Sequence, residues 1–224
     1  MKKLDRFVNF DERSREFPIS SILTATKLKN KYWECDVHLD QGVEGACVGF
    51  SWAHELRAKP YEIRVTNETA KTIYYAAQQR DQWSGTNYEG TSVIAGAKTV
   101  SSLGFMTEYR WAFGIDDVIK TLSNHGPIVL GINWYEDMFF PDEKGFIKPT
   151  GAILGGHAIL ATGIQIRERD GFLWKTLPEP VIRLHNSWGV EYGINGDVFI
   201  TATDLSKLLK EQGEACVPVK RFRN

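Results

Sequence analysis

The chain has 224 residues, 42% of them hydrophobic and 25% charged, enough apolar material for one substantial core or two small ones. A formal net charge of −1 provides no overall field for holding nucleic acid or an anionic membrane. The opening MKKLDRFVNF carries no apolar run, because Asp5 and Arg6 interrupt it, so neither a signal peptide nor a membrane anchor is expected.

Three cysteines, Cys35, Cys47 and Cys216, form a poor disulfide framework. They suit a reducing compartment, so a cytoplasmic protein is expected. In chain order, Ala46 to about Leu56 reads as a helix. Asn67 is placed to cap a helix from Glu68 to about Asp81, whose Ala70, Ile73, Tyr74 and Ala77 follow the spacing of one buried face. Thr91 or Ser92 starts a third helix, which Gly104 stops. Asp116 to about Asn124 reads as a fourth.

After Pro127 the pattern changes. Pro127 to Tyr135, His157 to Ile166, Val181 to Leu184 and Asp197 to Ile200 read as strands. Asp170-Gly171 signals a turn between the second and third of these. Asp204 to about Gln212 reads as a short last helix before Gly213. Helices first and strands second indicate an α+β fold or two closely packed lobes.

The most informative stretch runs from Gln41 through Gly42, Gly45 and Ala46 to Cys47, at the expected start of a helix. Unsatisfied N–H groups and the helix dipole favour a thiolate there. The Cys47 N–H and the Gln41 side-chain amide are two donors that can converge on a developing oxyanion. A free cysteine is more often a buried structural group, so this segment alone leaves both readings open.

A nucleophilic cysteine needs a base, and the base needs an orienting partner. Gly155-Gly156-His157 puts a histidine at the start of an apolar strand, although a lone histidine is more often a hydrogen-bonded core residue. His185-Asn186-Ser187-Trp188-Gly189 ends the next apolar run. The Asn186 oxygen can accept the second imidazole N–H, and Trp188 can cover that bond. Together, in the order Cys, His, Asn, the three pieces are specific.

At these residues the chain resembles the papain-like cysteine peptidases. The likeness is carried by Gln41 to Ala53, Gly156 to Gly163 and Asn186 to Gly196, and by Glu89-Gly90-Thr91-Ser92 and Gly126-Pro127-Ile128-Val129. The resemblance implies a helical lobe carrying Cys47, a β-barrel-like lobe carrying His157 and Asn186, and a cleft between them. On this reading residues 1–16 are a short N-terminal extension. Residues 17–224 form one catalytic domain, with a helical lobe at about 40–120 and a β-rich lobe at about 121–224.

The resemblance further implies Gln41 as the oxyanion donor, Gly90 and Gly156 as backbone partners of a peptide or protein substrate, and Trp188 at the cleft. Gly131 and Gly155 would line the dominant specificity pocket, and Glu214 would lie near its floor, favouring a basic side chain. The implied activity is peptide hydrolysis. The alternatives are a transpeptidase or amidase on the same scaffold, or a catalytically silent binding module.

Two positions depart from the family, Glu44 in place of a disulfide cysteine and Val48 in place of a tryptophan. The N-terminal extension looks too short for the family's inhibitory prosegment, so restraint by a separate protein inhibitor, by compartment or by a narrow cleft is expected. His185 or the 166–181 insertion is a candidate for narrowing the cleft. His38, His54, His125 and His185 show no metal-ligand spacing, so no metal and no cofactor are expected. Trp83, Trp111, Trp134 and Trp174 read as core and cleft-rim packing. A monomer is expected.

Overall fold

The computed structural model describes residues 2–25, 27–85, 87–170 and 173–221. A two-residue strand, β1 (Arg6–Phe7), opens the chain, and β2 (Lys31–Tyr32) follows. The helices α1 (Cys47–Arg57) and α2 (Asn67–Gln78) come next, then β3 (Thr91–Ser92), α3 (Val93–Ser102), β4 (Met106–Trp111) and α4 (Ile115–Asn124). The rest is mostly sheet: β5 (Ile128–Tyr135), β6 (Ile153–Asp170), β7 (Leu173–His185), β8 (Asp197–Thr201), a helix α5 (Ala202–Lys210) and β9 (Glu214–Arg221).

Three of the helices, α2, α3 and α5, start at a side-chain cap. Thr66, rather than Asn67, caps α2: its hydroxyl accepts from the Thr69 N–H, and the Thr69 hydroxyl accepts from the Thr66 N–H. Ser92 caps α3 by accepting from the Ala95 N–H, and Thr201 caps α5 through the Asp204 N–H. Gly104, at φ +83°, follows the end of α3, and Gln212, at φ +64°, precedes Gly213 where α5 has ended.

Seven strands form one sheet in the order β4-β9-β5-β6-β7-β8, with β2 added beside β6. Among the described residues the order does not return on itself, so the β-barrel-like lobe is a sheet-rich lobe without a closed barrel. β5, IVLGINWY, is buried at every position but Asn133, because it runs between β6 and β9 under two packed faces. β6 and β7 pair antiparallel, and the expected Asp170-Gly171 turn lies outside the described residues.

Two hydrophobic clusters mark the two lobes. One gathers α1, α2 and α3 with Cys35, Leu39, Met106 and Trp111. The other gathers the inner sheet face with Val118, Ile119 and Leu122 of α4, and Leu205 and Leu208 of α5. α4 therefore packs with the sheet lobe, and the lobe change falls near Ala112 rather than at residue 121. The reason is its apolar face, which covers the sheet instead of the helical core.

Candidate active site

Cys47 is the first residue of α1, and Ala46 before it offers no side-chain cap. The free N–H groups of that first turn point out of the helix end, where its dipole is positive. His157 lies in β6, paired in register with Ile132 of β5, and Ala158 beside it packs in the same cluster as Cys47. Asn186 follows β7 directly, and its N–H is fixed by the Gly196 carbonyl at 3.0 Å.

His157 Nε2 and Asn186 Oδ1 are 2.8 Å apart. An amide oxygen only accepts, so His157 carries a hydrogen on Nε2, and in the neutral ring Nδ1 is left as the basic nitrogen. That Nδ1 is buried and has no hydrogen-bond partner among the described residues. Asn186 Oδ1 also accepts from the Ser187 N–H at 2.8 Å, which locks the amide's orientation.

Aromatic rings wall off this bond. Trp188 lies 4.9 Å from the His157 ring and Trp134 lies 4.8 Å from it, centroid to centroid. Phe139 stacks on Trp188 at 5.2 Å and 7°. Water exclusion strengthens the buried hydrogen bond. Sequence reading placed Trp188 here but not Phe139, whose contact depends on how the short helix after β5 folds back. Of the other tryptophans, Trp111 is buried, Trp83 packs on Phe7, and the side chain of Trp174 lies outside the described residues.

The cleft is filled by the protein's own N-terminal segment. β1 pairs parallel with β3, Arg6 opposite Thr91, and Asp5 bridges to Gly156. The Thr91 N–H donates to the Asp5 carbonyl at 3.2 Å. Gln41 Nε2 donates to the carbonyls of Glu44 at 2.8 Å and Lys3 at 3.3 Å. The amide expected to hold an oxyanion therefore holds a strap carbonyl. Lys2 pairs with Asp40 and Lys3 with Glu89 on the rim. The short N-terminal extension thus lies extended along the cleft.

Glycines make room for the strap. A Cβ on Gly90, at φ +92°, would stand 2.0 Å from the Asp5 carbonyl oxygen, and one on Gly156 2.3 Å from that of Arg6. A Cβ on Gly131 would stand 2.5 Å from Arg6 Nε, so this glycine opens the pocket that takes the guanidinium. Glu214, opposite Gly131 in the β5–β9 register, receives Arg6 Nη2 at 2.8 Å and Nε at 3.2 Å. Arg6 also donates to the Gln212 carbonyl at 2.8 Å. Gly155 faces Leu4 instead and does not line the Glu214 pocket.

Strap burial sets the charge state. Cys47 and His157 are both fully buried. Burial pushes the Cys47 thiol up to about 11, against the opposing pull of the Ala158, Asp5 and Val48 N–H groups, and the Asp5 carboxylate adds to the rise. Burial pushes His157 down to about 4, with the Asn186 hydrogen bond acting the other way. Burial raises the Asp5 carboxyl and the Glu214 carboxyl as well, and the Arg6 guanidinium works against the latter. At neutral pH the site holds a thiol and a neutral imidazole.

Cys35 and Cys216 are buried and unpaired, and no cluster of metal-ligating side chains exists among the described residues. His185 is fully buried, with its ring between Asp197 and the Val37 carbonyl.

The architecture is that of the papain-like cysteine peptidases, a helical lobe and a sheet lobe meeting at a cysteine, a histidine and an asparagine. Over 99% of the chain it matches xylellain, a cysteine protease from Xylella fastidiosa, with a TM-score of 0.71, 20% identity and 97% of that chain covered. It also matches procathepsin L 3 of the Tenebrio molitor larval midgut at TM-score 0.63 and 12% identity, over 90% of this chain and 73% of that one. A procathepsin B from Trypanosoma congolense gives 0.62 at 14% identity, over 99% and 84%. In sequence, 160 residues, 68% of the chain, are 26% identical to cathepsin B-like cysteine proteinase 4 of Caenorhabditis elegans. The chain spans 44% of that relative's length. No family model matches the chain.

Proposed function

We propose that this protein is a papain-type cysteine peptidase that cleaves peptide bonds through a Cys47 thioester and is kept latent by residues 2–7. The observation that carries the reading is the 2.8 Å His157–Asn186 hydrogen bond, sealed under Trp134 and Trp188, with Ala158, the residue after His157, packed with Cys47 at a helix N-terminus. Similarity to a curated cysteine proteinase supports it.

Once the strap leaves, water and the helix N-terminus favour transfer of the thiol proton to His157 Nδ1. The Cys47 sulfur attacks the carbonyl carbon of the substrate, forming a C–S bond and an oxyanion held by the Cys47 N–H and the freed Gln41 amide. The imidazolium gives its proton to the departing amine as the C–N bond breaks. Water then attacks the thioester with His157 as base, releasing the acid and restoring the thiol.

Arg6 in the Glu214 pocket supports a preference for a basic side chain there. Three unpaired cysteines fit a reducing compartment, and we place the protein in the cytoplasm on that ground, acting as a monomer on peptides or proteins.

The test is labelling with an epoxide that alkylates activated cysteines, read by intact mass. A single adduct is expected, slow on wild type, fast on Arg6→Ala and absent on Cys47→Ala. A folded Arg6→Ala protein that stays unlabelled and cleaves no arginine-containing peptide overturns the peptidase reading in favour of a binding module.

A further inference from the structure

A second cluster of ionisable groups lies directly behind the catalytic residues and takes no part in the chemistry above. His185, the last residue of β7, is fully buried, and its Nδ1 lies 2.8 Å from Asp197 Oδ1 while its Nε2 lies 2.9 Å from the Val37 carbonyl oxygen. A carboxylate and a carbonyl only accept. A ring that bonds both must donate from both nitrogens, which makes it an imidazolium. Arg183 donates to the other oxygen of the same carboxylate, through Nε at 3.0 Å and through Nη2, which keeps Asp197 ionised.

The groups facing His185 come from every neighbouring segment. His54 of α1 meets it edge to face at 4.4 Å, and His38 lies 4.8 Å away. His54 Nε2 accepts from the Leu39 N–H at 3.1 Å, so that ring is neutral, and burial holds it well below the usual histidine range. His38 is lowered by burial and by its charged neighbour His185. Cys35 Sγ sits 3.7 Å from the Val37 carbonyl and 3.6 Å from that of His54. With two neutral rings, one carboxylate and one guanidinium around it, His185 finds its counter-charge in Asp197. Burial opposes that charge, yet the Asp197 bond and, after it, the Cys35 sulfur raise the ring to about 10.

The cluster touches the site at two points. Asn186 is the next residue after His185, and its N–H is bound by Gly196, the residue before Asp197. On the other side, residues 37–41 are fastened three times: Val37 by His185, Leu39 by His54, and the Gln41 N–H by the Ser187 carbonyl at 2.9 Å. Cys35 and Leu39 pack with the helical lobe, whereas Leu184 and Val198, flanking His185 and Asp197, pack with the sheet lobe. We propose that His185, held as an imidazolium between Asp197 and Val37, is a positioning residue for the thioester chemistry. In one hydrogen-bonded unit it fixes the strand end carrying Asn186 and the segment carrying Gln41. This inference rests on the peptidase reading.

Displacing a catalytic group by about 1 Å costs on the order of 10²-fold in rate. His185→Gln cannot donate in both directions, and Asp197→Asn removes the counter-charge at nearly constant shape. Both are made in full-length protein carrying Arg6→Ala, and active sites are counted by epoxide labelling. The expected result is about 10- to 100-fold lower kcat per labelled Cys47 with KM within about twofold. In ¹⁵N-histidine NMR of the unsubstituted protein, His185 is expected to carry protons on both ring nitrogens at pH 7.5, and Asp197→Asn to remove one.

Unchanged kcat per labelled site, even with a lowered melting temperature, reduces His185 to a structural residue and overturns the proposal. A singly protonated His185 at pH 7.5 overturns it as well. An Arg6→Ala parent that neither labels nor hydrolyses removes the peptidase reading and the positioning role with it, while the NMR still decides on the imidazolium bridge.

Discussion

Among the described residues Arg6 and Glu214 form the one ion pair at the cleft with both side chains buried, at 0% and 3% exposure, so it carries the strap in a way the rim pairs of Lys2 and Lys3 do not. Breaking a buried pair by removing one partner costs about 3–5 kcal/mol, because the other charge is left unpaired. Here the strap can leave and let water reach Glu214, so the cost appears as release of the strap rather than unfolding. Arg6→Ala is therefore expected to raise the rate of Cys47 alkylation at pH 7 by at least about tenfold, each 1.4 kcal/mol lost being one factor of ten. A stopped-flow or quenched alkylation series checks it, and equal rates in wild type and variant would leave the strap without a restraining role. The same burial fixes the pH response. His157 is lowered to about 4, so its contribution to the closed form is present above the ordinary histidine value and is lost as pH falls towards 4. Cys47 is raised to about 11, so its contribution is present below the ordinary thiol value and is lost as pH rises towards 11. Alkylation of the wild type should be slowest on a plateau between those ordinary values, about 6.5 to 9, and rise on either side as the strap loosens. A rate that simply climbs from pH 5 with a single ordinary thiol titration would contradict a closed site.

Element by element, Gly131 shows how one strand position decides what the pocket accepts. A methyl group there would meet Arg6 Nε at 2.5 Å and Val93 Cγ2 at 2.7 Å. The Arg6 head can move, but Val93 is held in the start of α3. Gly131→Ala is thus expected to expel the Arg6 head, speeding Cys47 alkylation, while removing any preference for arginine peptides over leucine peptides. Retained arginine preference would place specificity elsewhere than the Glu214 pocket. At the start of that same helix, Ser92 caps the Ala95 N–H, and Ser92→Ala should cost about 1 kcal/mol, a fall of roughly 2–4 °C in Tm. The helices and the inner strands were legible because capping residues and apolar periodicity are local. Cys47 at the first residue of α1 and Asn186 directly after β7 stand at element ends that local pattern marks, whereas His157 stands five residues into β6. The partners of β1 and β9 were not legible: Arg6 meets Glu214 across 208 residues, and no local pattern announces such a pairing. Thr66 was overlooked as a cap because Asn67, the stronger capper by residue type, stands beside it. A lobe boundary at about residue 120 cuts through α4, because amphipathic spacing tells that a face is buried but not against what.

For the molecule as a whole, the strap adds a further tie between two lobes that already share a core, since Val129, Ala158, Leu160 and Cys216 of the sheet pack in the helical cluster. The strap spans both: β1 hydrogen-bonds β3 of the helical lobe, Asp5 bridges Gly156 of the sheet lobe, and Arg6 reaches Glu214 at the start of β9. Its exposed ion pairs are screened by salt within about 8–10 Å, whereas the buried Arg6–Glu214 pair is not. Exposed pairs contribute at most about 1 kcal/mol each, so salt has little hold on the closed state. Raising NaCl from 0.05 to 0.5 M should therefore change the alkylation rate of the wild type by less than about thirtyfold, the bound set by the two rim pairs together at about 1 kcal/mol each. A peptide with arginine placed to enter the Glu214 pocket acts differently, because it competes for the same carboxylate that anchors the strap. It should speed labelling at low concentration and protect Cys47 at high concentration, whereas the same peptide with glutamate at that position should do neither. Release by salt alone would mean that the rim lysines, and not the buried arginine, keep the two lobes closed.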